Sequence, residues 1–312
     1  MGIKTNDLVI APSYTFIATI NSIIHSGARP WLFDTKKNEL TINLMQIEKA
    51  LKQNSFKQGK YYYHKKTKQR IFAICPVYTL GHLPDLNKIK KLAKKYNLKI
   101  IADAACALGV KYKSQKITKF NDAVCYSFNG NKSITAGGGG AVSLNNKVIY
   151  KKIFLMSTNA KINTYDHVFP GHNYRITGLH AAIGLGQLIN IKKIQNFKNI
   201  ISNKYSIFFK KNNLKTIVNK FGNSRIQWLN FILCKKDIRK SMVLSAKKSR
   251  INLNYFWKPM HLQPFLKSSL KENMVNTNKM WKKILVLPSS INLSNNEINK
   301  VKKFLVKNII NF

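Results

Sequence analysis

Through the first two-thirds of the chain, short apolar runs alternate with amphipathic segments, and no other feature restricts the fold as much. This is the pattern of an α/β sheet covered by helices. Residues 8–11, 30–33, 71–77, 98–102, 123–128 and 141–144 read as strands. The clearest helix covers 84–96, where Leu86, Ile89, Leu92, Ala93 and Tyr96 recur at helical spacing and Lys88, Lys90, Lys91, Lys94 and Lys95 face outward. Pro84 and Asp85 mark its start. A second helix is predicted over 15–26, stopped by Gly27. A third begins near Thr177 and continues through Ala181, Ala182 and Leu185 into the Lys-rich stretch beyond Ile191. From about residue 200 the pattern is less regular, with strand-like runs at 226–234 and 283–287 and a closing helix over 295–308. The expectation is a mainly parallel, helix-covered sheet in residues 1–199 and a smaller α+β domain in 200–312. At 312 residues and 45% hydrophobic content the chain has enough apolar side chains for such a core, which rules out disorder as its main state.

The charge balance is unusual, with 54 Lys plus Arg against 11 Asp plus Glu, a net +43. Such a surface suggests nucleic acid or anionic membrane. However, only Arg29, Arg70, Arg175, Arg225, Arg239 and Arg250 are arginines, the residue whose fork suits phosphates and bases. The lysines are spread along the chain among abundant Asn and Ile, as expected where coding DNA is biased towards A and T, and they read as solvated faces. No stacking motif or basic helix accompanies them. The four cysteines, Cys75, Cys106, Cys125 and Cys234, lack CxxC spacing and read as reduced and structural. The seven histidines are scattered without metal-ligand spacing, so no metal is expected. With no apolar signal core at its start and no uninterrupted apolar run of about 18 residues, the protein is expected in the cytoplasm.

Chemistry concentrates at two strand ends. Ile100-Ile101-Ala102-Asp103 is an apolar run ending on a carboxylate, and ligands of open α/β sheets gather beyond the carboxyl ends of strands. Asp103 is either a cofactor contact there or a helix cap. The next strand leads into Ser127-Phe128-Asn129-Gly130-Asn131-Lys132 and then the glycines 137–140. A lysine held at a strand end, beside glycines that allow close approach of backbone and cofactor, is how a Schiff-base amine is presented.

These blocks, with Ala-Pro-Ser-Tyr-Thr-Phe at 11–16, Asp-Ala-Ala at 103–105, Gly-His-Asn-Tyr-Arg at 171–175, Ala-Ala-Ile-Gly at 181–184, Phe-Trp-Lys-Pro-Met-His-Leu-Gln-Pro at 256–264 and Leu-Pro-Ser-Ser at 287–290, resemble the DegT-type sugar aminotransferases across nearly the whole chain. The resemblance implies the type I aminotransferase fold and pyridoxal 5'-phosphate as cofactor. The blocks at 127–132 and 257–261 are most similar to the branch that aminates UDP-linked 4-keto-6-deoxy-N-acetylhexosamines, the bacillosamine-type step. By this resemblance Lys132 carries the cofactor and shuttles a proton, Asp103 pairs with the pyridinium nitrogen, Ser127 binds the phosphate and Phe16 lies against the ring. Asn173 or Arg175 reaches a phosphate or carboxylate across a homodimer interface. Trp257 and His261 lie beside substrate, although His261 also suits a buried structural role. The implied reaction moves an amino group from L-glutamate to a nucleotide-linked 4-keto-6-deoxy sugar during surface glycan biosynthesis.

Departures from the family pattern bear on this expectation. Family members carry roughly 70 residues ahead of the point matching Met1, on the scale of half a small domain, including a phosphate-binding loop. Cys106 stands where Gln or Glu faces the cofactor's phenolic oxygen, Asn254 where an Arg precedes the Trp257 block, and Tyr78 where His is common. The alternatives are a dTDP- or GDP-linked substrate, or a catalytically impaired, truncated homologue acting only as a structural or regulatory partner.

Overall fold

A computed structural model describes residues 1–222, 228–235 and 237–310. In chain order the larger part contains β1 (Leu8–Pro12), α1 (Ile17–His25), β2 (Arg29–Phe33), α2 (Leu44–Asn54), β3 (Ser55–Gln58), β4 (Tyr61–His64), β5 (Arg70–Ile74), α3 (Leu86–Tyr96), β6 (Lys99–Asp103), β7 (Lys111–Tyr112), β8 (Gln115–Lys116), β9 (Ala123–Ser127), β10 (Gly140–Leu144), α4 (Lys147–Met156) and α5 (Gly178–Ile189). There follow α6 (Ile191–Lys211), β11 (Asn230–Leu233), α7 (Arg239–Lys248), β12 (Asn254–Tyr255), α8 (Val275–Trp281), β13 (Ile284–Leu287) and α9 (Asn295–Leu305).

The main sheet has the order β10-β9-β6-β5-β1-β2, with β3 and β4 continuing from β5. Strands β9, β6, β5, β1 and β2 are parallel, and β10 closes one edge antiparallel. Both faces of β1 are buried, as a parallel sheet between helix layers requires. Its side chains alternate between two cores: Leu8 and Ile10 join Trp31 and Phe33 under α2 and α3, while Val9 and Ala11 join Leu32 and Phe72 against Ile20 and Ile23 of α1.

The helix predicted over 84–96 is α3, with the five apolar residues named above all buried. Its cap is Asp85, whose Oδ1 accepts the Lys88 N–H at 3.1 Å, so Pro84 lies outside the helix. The helix predicted from Thr15 starts at Ile17, because the Thr15 side chain turns inward to Thr19. The single helix expected from Thr177 past Ile191 is two helices. It breaks at Asn190, whose side-chain amide donates to the Gly186 carbonyl at 2.9 Å. The closing helix α9 ends at Leu305, and one π turn follows it.

The second sheet, β11-β13-β12, is antiparallel. Ile232, Leu285 and Leu287 pack on Ile201 and Tyr205 of α6, Met242 of α7 and Val301 of α9. Within the strand expected over 226–234, Ile226 and Gln227 lie outside the described residues. The border anticipated at 199/200 falls inside α6, and the segment between β12 and β13 returns to the main sheet. There Leu32 and the 270–272 stretch exchange backbone bonds (Leu32 N to Leu270 O and Glu272 N to Leu32 O, both 2.9 Å). Among the described residues no helix is long and apolar enough to cross a membrane.

Candidate active site

Because the main strands are parallel, β1, β6 and β9 deliver Ser13 to Phe16, Asp103 and Ser127 to one edge of the sheet. Asp103 is half-buried there and is oriented by two donors: Thr19 Oγ1 to Oδ2 at 2.6 Å and the Ala105 N–H to Oδ1 at 3.0 Å. Since the single hydroxyl proton of Thr19 goes to Asp103, Thr15 Oγ1 is the donor in its 2.7 Å contact with Thr19. A relay from Thr15 through Thr19 thus sets the carboxylate. Asp103 has no Lys or Arg ion-pair partner among the described residues, although the chain is strongly basic.

Lys132 leaves β9 through a turn closed by its own N–H on the Asn129 carbonyl at 3.0 Å. Its Nζ lies 3.7 Å from Cys106 Sγ and 4.3 Å from the centre of the Trp228 ring. Burial pushes the Cys106 thiol up to about 12, and beyond that effect Lys132 draws it down while Asp103 raises it. The neutral thiol therefore feels both the amine and the carboxylate. Trp228 donates from Nε1 to the Asn131 carbonyl at 2.6 Å, which ties the ring to the loop carrying Lys132. Trp257 links this wall to Phe16, with ring centres 6.4 Å from Trp228 and 5.7 Å from Phe16. Phe16 caps α1 without a side-chain bond and leaves 52% of its surface open beside the site.

Ser127 Oγ accepts the Asn129 N–H at 3.3 Å, so its own proton is free to donate. Two positions show why the run is glycine. Gly139 has φ +83° and a Cβ there would press on Ile176, while a Cβ on Gly140 would lie 2.4 Å from the Tyr126 carbonyl oxygen of the paired strand.

Other candidates lie elsewhere. Asn173 and Arg175 are exposed; Arg175 covers the Phe154 ring at 4.7 Å and lines a cleft of about 430 Å³ with Gly138, Gly139, Gly140 and His180. The chain therefore does not bring either residue onto its own Lys132. His261 is buried, and both ring nitrogens are engaged inside the protein: Nε2 with Asn278 Oδ1 at 3.1 Å and Nδ1 with Ser13 Oγ at 2.6 Å. With Nε2 donating to the amide oxygen, Nδ1 accepts from Ser13, and burial lowers the imidazole's pKa.

The site has two members that sequence reasoning does not single out, Thr19 and Trp228. Two threonines four apart, Thr15 just ahead of an apolar helix and Thr19 on its buried side, were the one local signal for Thr19. Trp228 comes from a distant segment, and only the fold brings it to Lys132.

The residues present suit pyridoxal phosphate. A carboxylate with free lone pairs and no Lys or Arg partner among the described residues suits a protonated ring nitrogen, an amine stands 3.7 Å from the nearby Cys106 thiol, aromatic rings wall the space and a free hydroxyl is available for phosphate. The donor set for a metal is lacking, as no group of three or more His, Cys, Asp or Glu gathers among the described residues.

Comparison with known proteins agrees with this geometry. GDP-perosamine synthase of Escherichia coli O157:H7 is 31% identical over 305 residues, covering 96% of this chain and 78% of the relative. The UDP-4-amino-4,6-dideoxy-N-acetyl-beta-L-altrosamine transaminase of Campylobacter jejuni serotype O:23/36 is 30% identical over 283 residues, 87% of this chain and 70% of the relative. In fold, the chain superposes on Helicobacter pylori PseC, an aminotransferase involved in the biosynthesis of pseudoaminic acid, with a TM-score of 0.87 at 23% identity, over all of this chain and 82% of that one. The family model described as the DegT/DnrJ/EryC1/StrS aminotransferase family matches residues 1–306, and the protein belongs to that family.

Proposed function

We propose that this sugar aminotransferase moves an amino group from L-glutamate to a nucleotide-linked 4-keto-6-deoxy sugar in surface glycan biosynthesis, working as a cytoplasmic homodimer. The observation that carries the reading is a half-buried carboxylate, Asp103, at the carboxyl edge of a parallel sheet, with the Lys132 amine 3.7 Å from the thiol of Cys106 in the turn that follows it. The cofactor is pyridoxal 5'-phosphate, which when bound supplies a carbonyl that captures amines and a ring that accepts electrons.

The chain's own residues then have distinct tasks. Asp103, set by Thr19 and Ala105, holds a proton on the cofactor's ring nitrogen. Lys132 Nζ is the amine that anchors the cofactor and, once released, takes and returns the proton at the carbon that carries the amino group. Trp228 and Trp257 limit the path of that amine and exclude water, and Phe16 covers the ring. Ser127 donates its hydroxyl to the phosphate. Cys106, kept neutral by burial, faces the phenolic side without adding charge. Asn173 and Arg175, exposed and making no contact with their own Lys132, serve the partner subunit's site, where Arg175 meets an anionic group of substrate. Trp257 is assigned to substrate. His261 is assigned to holding the 256–264 block against Ser13.

Relatives named for GDP- and UDP-linked sugars support a nucleotide-sugar substrate, and the 127–132 and 257–261 blocks favour the UDP-linked N-acetylhexosamine, bacillosamine-type branch. The test is direct. Protein mixed with pyridoxal phosphate and reduced with borohydride should carry the cofactor on the peptide containing Lys132. Turnover with glutamate should then release 2-oxoglutarate faster with the UDP-linked than with the GDP-linked keto sugar.

A second reading has specific support. Helices α4 and α5 bury no residue, and edge strand β10 is open, so a face next to the Lys132 loop is bare. A catalytically impaired homologue that acts only as a structural or regulatory partner would have such a face, and absence of any cofactor adduct on Lys132 would favour it.

A further inference from the structure

Lys198 of α6 is a buried cation with no acidic partner among the described residues. Its Nζ donates to the carbonyls of Trp228 at 2.9 Å and Ser289 at 2.8 Å. Ser289 belongs to the Leu-Pro-Ser-Ser block at 287–290, and its Oγ accepts the Asn230 N–H at 2.8 Å. Thus one ammonium joins α6, the start of β11 and the end of β13. Burying an amine without a counter-ion is costly, and desolvation brings its pKa down to about 8. An apolar residue of similar length would avoid that cost, so the amine must be judged by what it holds, and what it holds is the backbone of the tryptophan covering Lys132.

We propose that Lys198 is a positioning residue of the active site: by fixing the Trp228 carbonyl to that of Ser289, it sets the indole over the Lys132 amine. The inference rests on Lys132 being the amine that takes the cofactor. Trp228 is then held at two points, its carbonyl by Lys198 and its Nε1 by the Asn131 carbonyl, and a shift of either moves the ring off Nζ.

The test measures acetylation of Lys132 by N-hydroxysuccinimidyl acetate in the full chain freed of cofactor, read by peptide mass spectrometry, with exposed Lys90 as the internal reference. Trp228→Leu uncovers the amine and raises the Lys132 rate by about threefold or more, a coupling typical of residues in contact. Lys198→Met should raise it by a similar factor, the double variant should match Trp228→Leu alone, and Lys198→Arg should restore the slower rate. Lys198→Gln, which removes the charge and shortens the side chain, replaces the Met variant if the latter fails to fold. An unchanged Lys132 rate in Lys198→Met, or in Lys198→Gln where it stands in, or effects that multiply in the double variant, overturns the proposal. Borohydride trapping of pyridoxal phosphate on wild-type Lys132 runs in parallel. Its failure overturns the functional reading, whereas normal trapping with independent Lys198 and Trp228 effects overturns the positioning role alone.

Discussion

Asp103 accepts one bond from a hydroxyl and one from a backbone amide, and this division predicts how its variants behave. Asp103→Asn keeps an acceptor for the Ala105 N–H, so the fold should survive, yet an amide cannot hold a proton on the cofactor. Its kcat should fall by about 10²- to 10³-fold, the scale of losing one preorganised electrostatic group, with an unchanged circular dichroism spectrum. Thr19→Val removes the hydroxyl bonded to the carboxylate and leaves the charge. Hydrogen bonds to charged groups contribute about 1.5 to 3 kcal/mol, so kcat/KM should drop by about tenfold to a hundredfold, less than for Asp103→Asn. A Thr19→Val enzyme with wild-type kcat/KM would show that Asp103 needs no help from α1. The carboxylate was legible in the sequence because it ends an apolar strand. The Thr19 contact was not, because its partners lie 84 positions apart and only sheet geometry joins them.

At the level of elements, legibility followed burial. Helix α3 could be read because one face is buried and the other is lined with lysines, whereas α4 buries no residue and its apolar side chains carry no inward periodicity. The α5–α6 break escaped detection because Asn190 interrupts two segments that each look helical. Strand β10 is the element on which the Lys132 loop most depends, since Gly140 pairs with Ser127 across β9. A methyl at 140 would strike the Tyr126 carbonyl, a backbone atom that cannot swing aside. Gly140→Ala should cost about 1 to 3 kcal/mol in urea unfolding and should weaken cofactor uptake, because the strand shift reaches Ser127. The turn ahead of α3 predicts a pH effect. His82 is buried, which lowers its pKa from 6.5 to about 4. As pH falls through 6.5 the unfolded chain takes a proton that the native state refuses until about 4, so stability declines across that window, by on the order of 3 kcal/mol. Urea midpoints at pH 7 and 4.5 should converge more closely for His82→Gln than for wild type; an equal spread would mean that His82 is not held neutral.

For the molecule as a whole, two properties oppose each other. A net charge of +43 repels a second copy, while α4 and α5 expose Val148, Phe154, Ile183, Leu185 and Leu188, and a soluble monomer seldom leaves large apolar patches uncovered. The signs of the salt effects separate the outcomes. If copies associate through this face, screening weakens the repulsion as the Debye length falls from about 30 Å at 10 mM to about 10 Å at 0.1 M, and the dimer tightens with salt. Binding to a polyanion weakens with salt, because counterions released on binding are recaptured less favourably. Sedimentation velocity across that range should therefore show a dimer that grows with salt. Leu185→Glu, which would bury a carboxylate in the interface, should return it to monomer. The same variant tests the division of labour between subunits. Asn173 and Arg175 make no contact with their own Lys132, so a Leu185→Glu monomer should still take pyridoxal phosphate onto Lys132 but lose most amino transfer to the sugar. A fully active monomer would remove both residues from the partner's site.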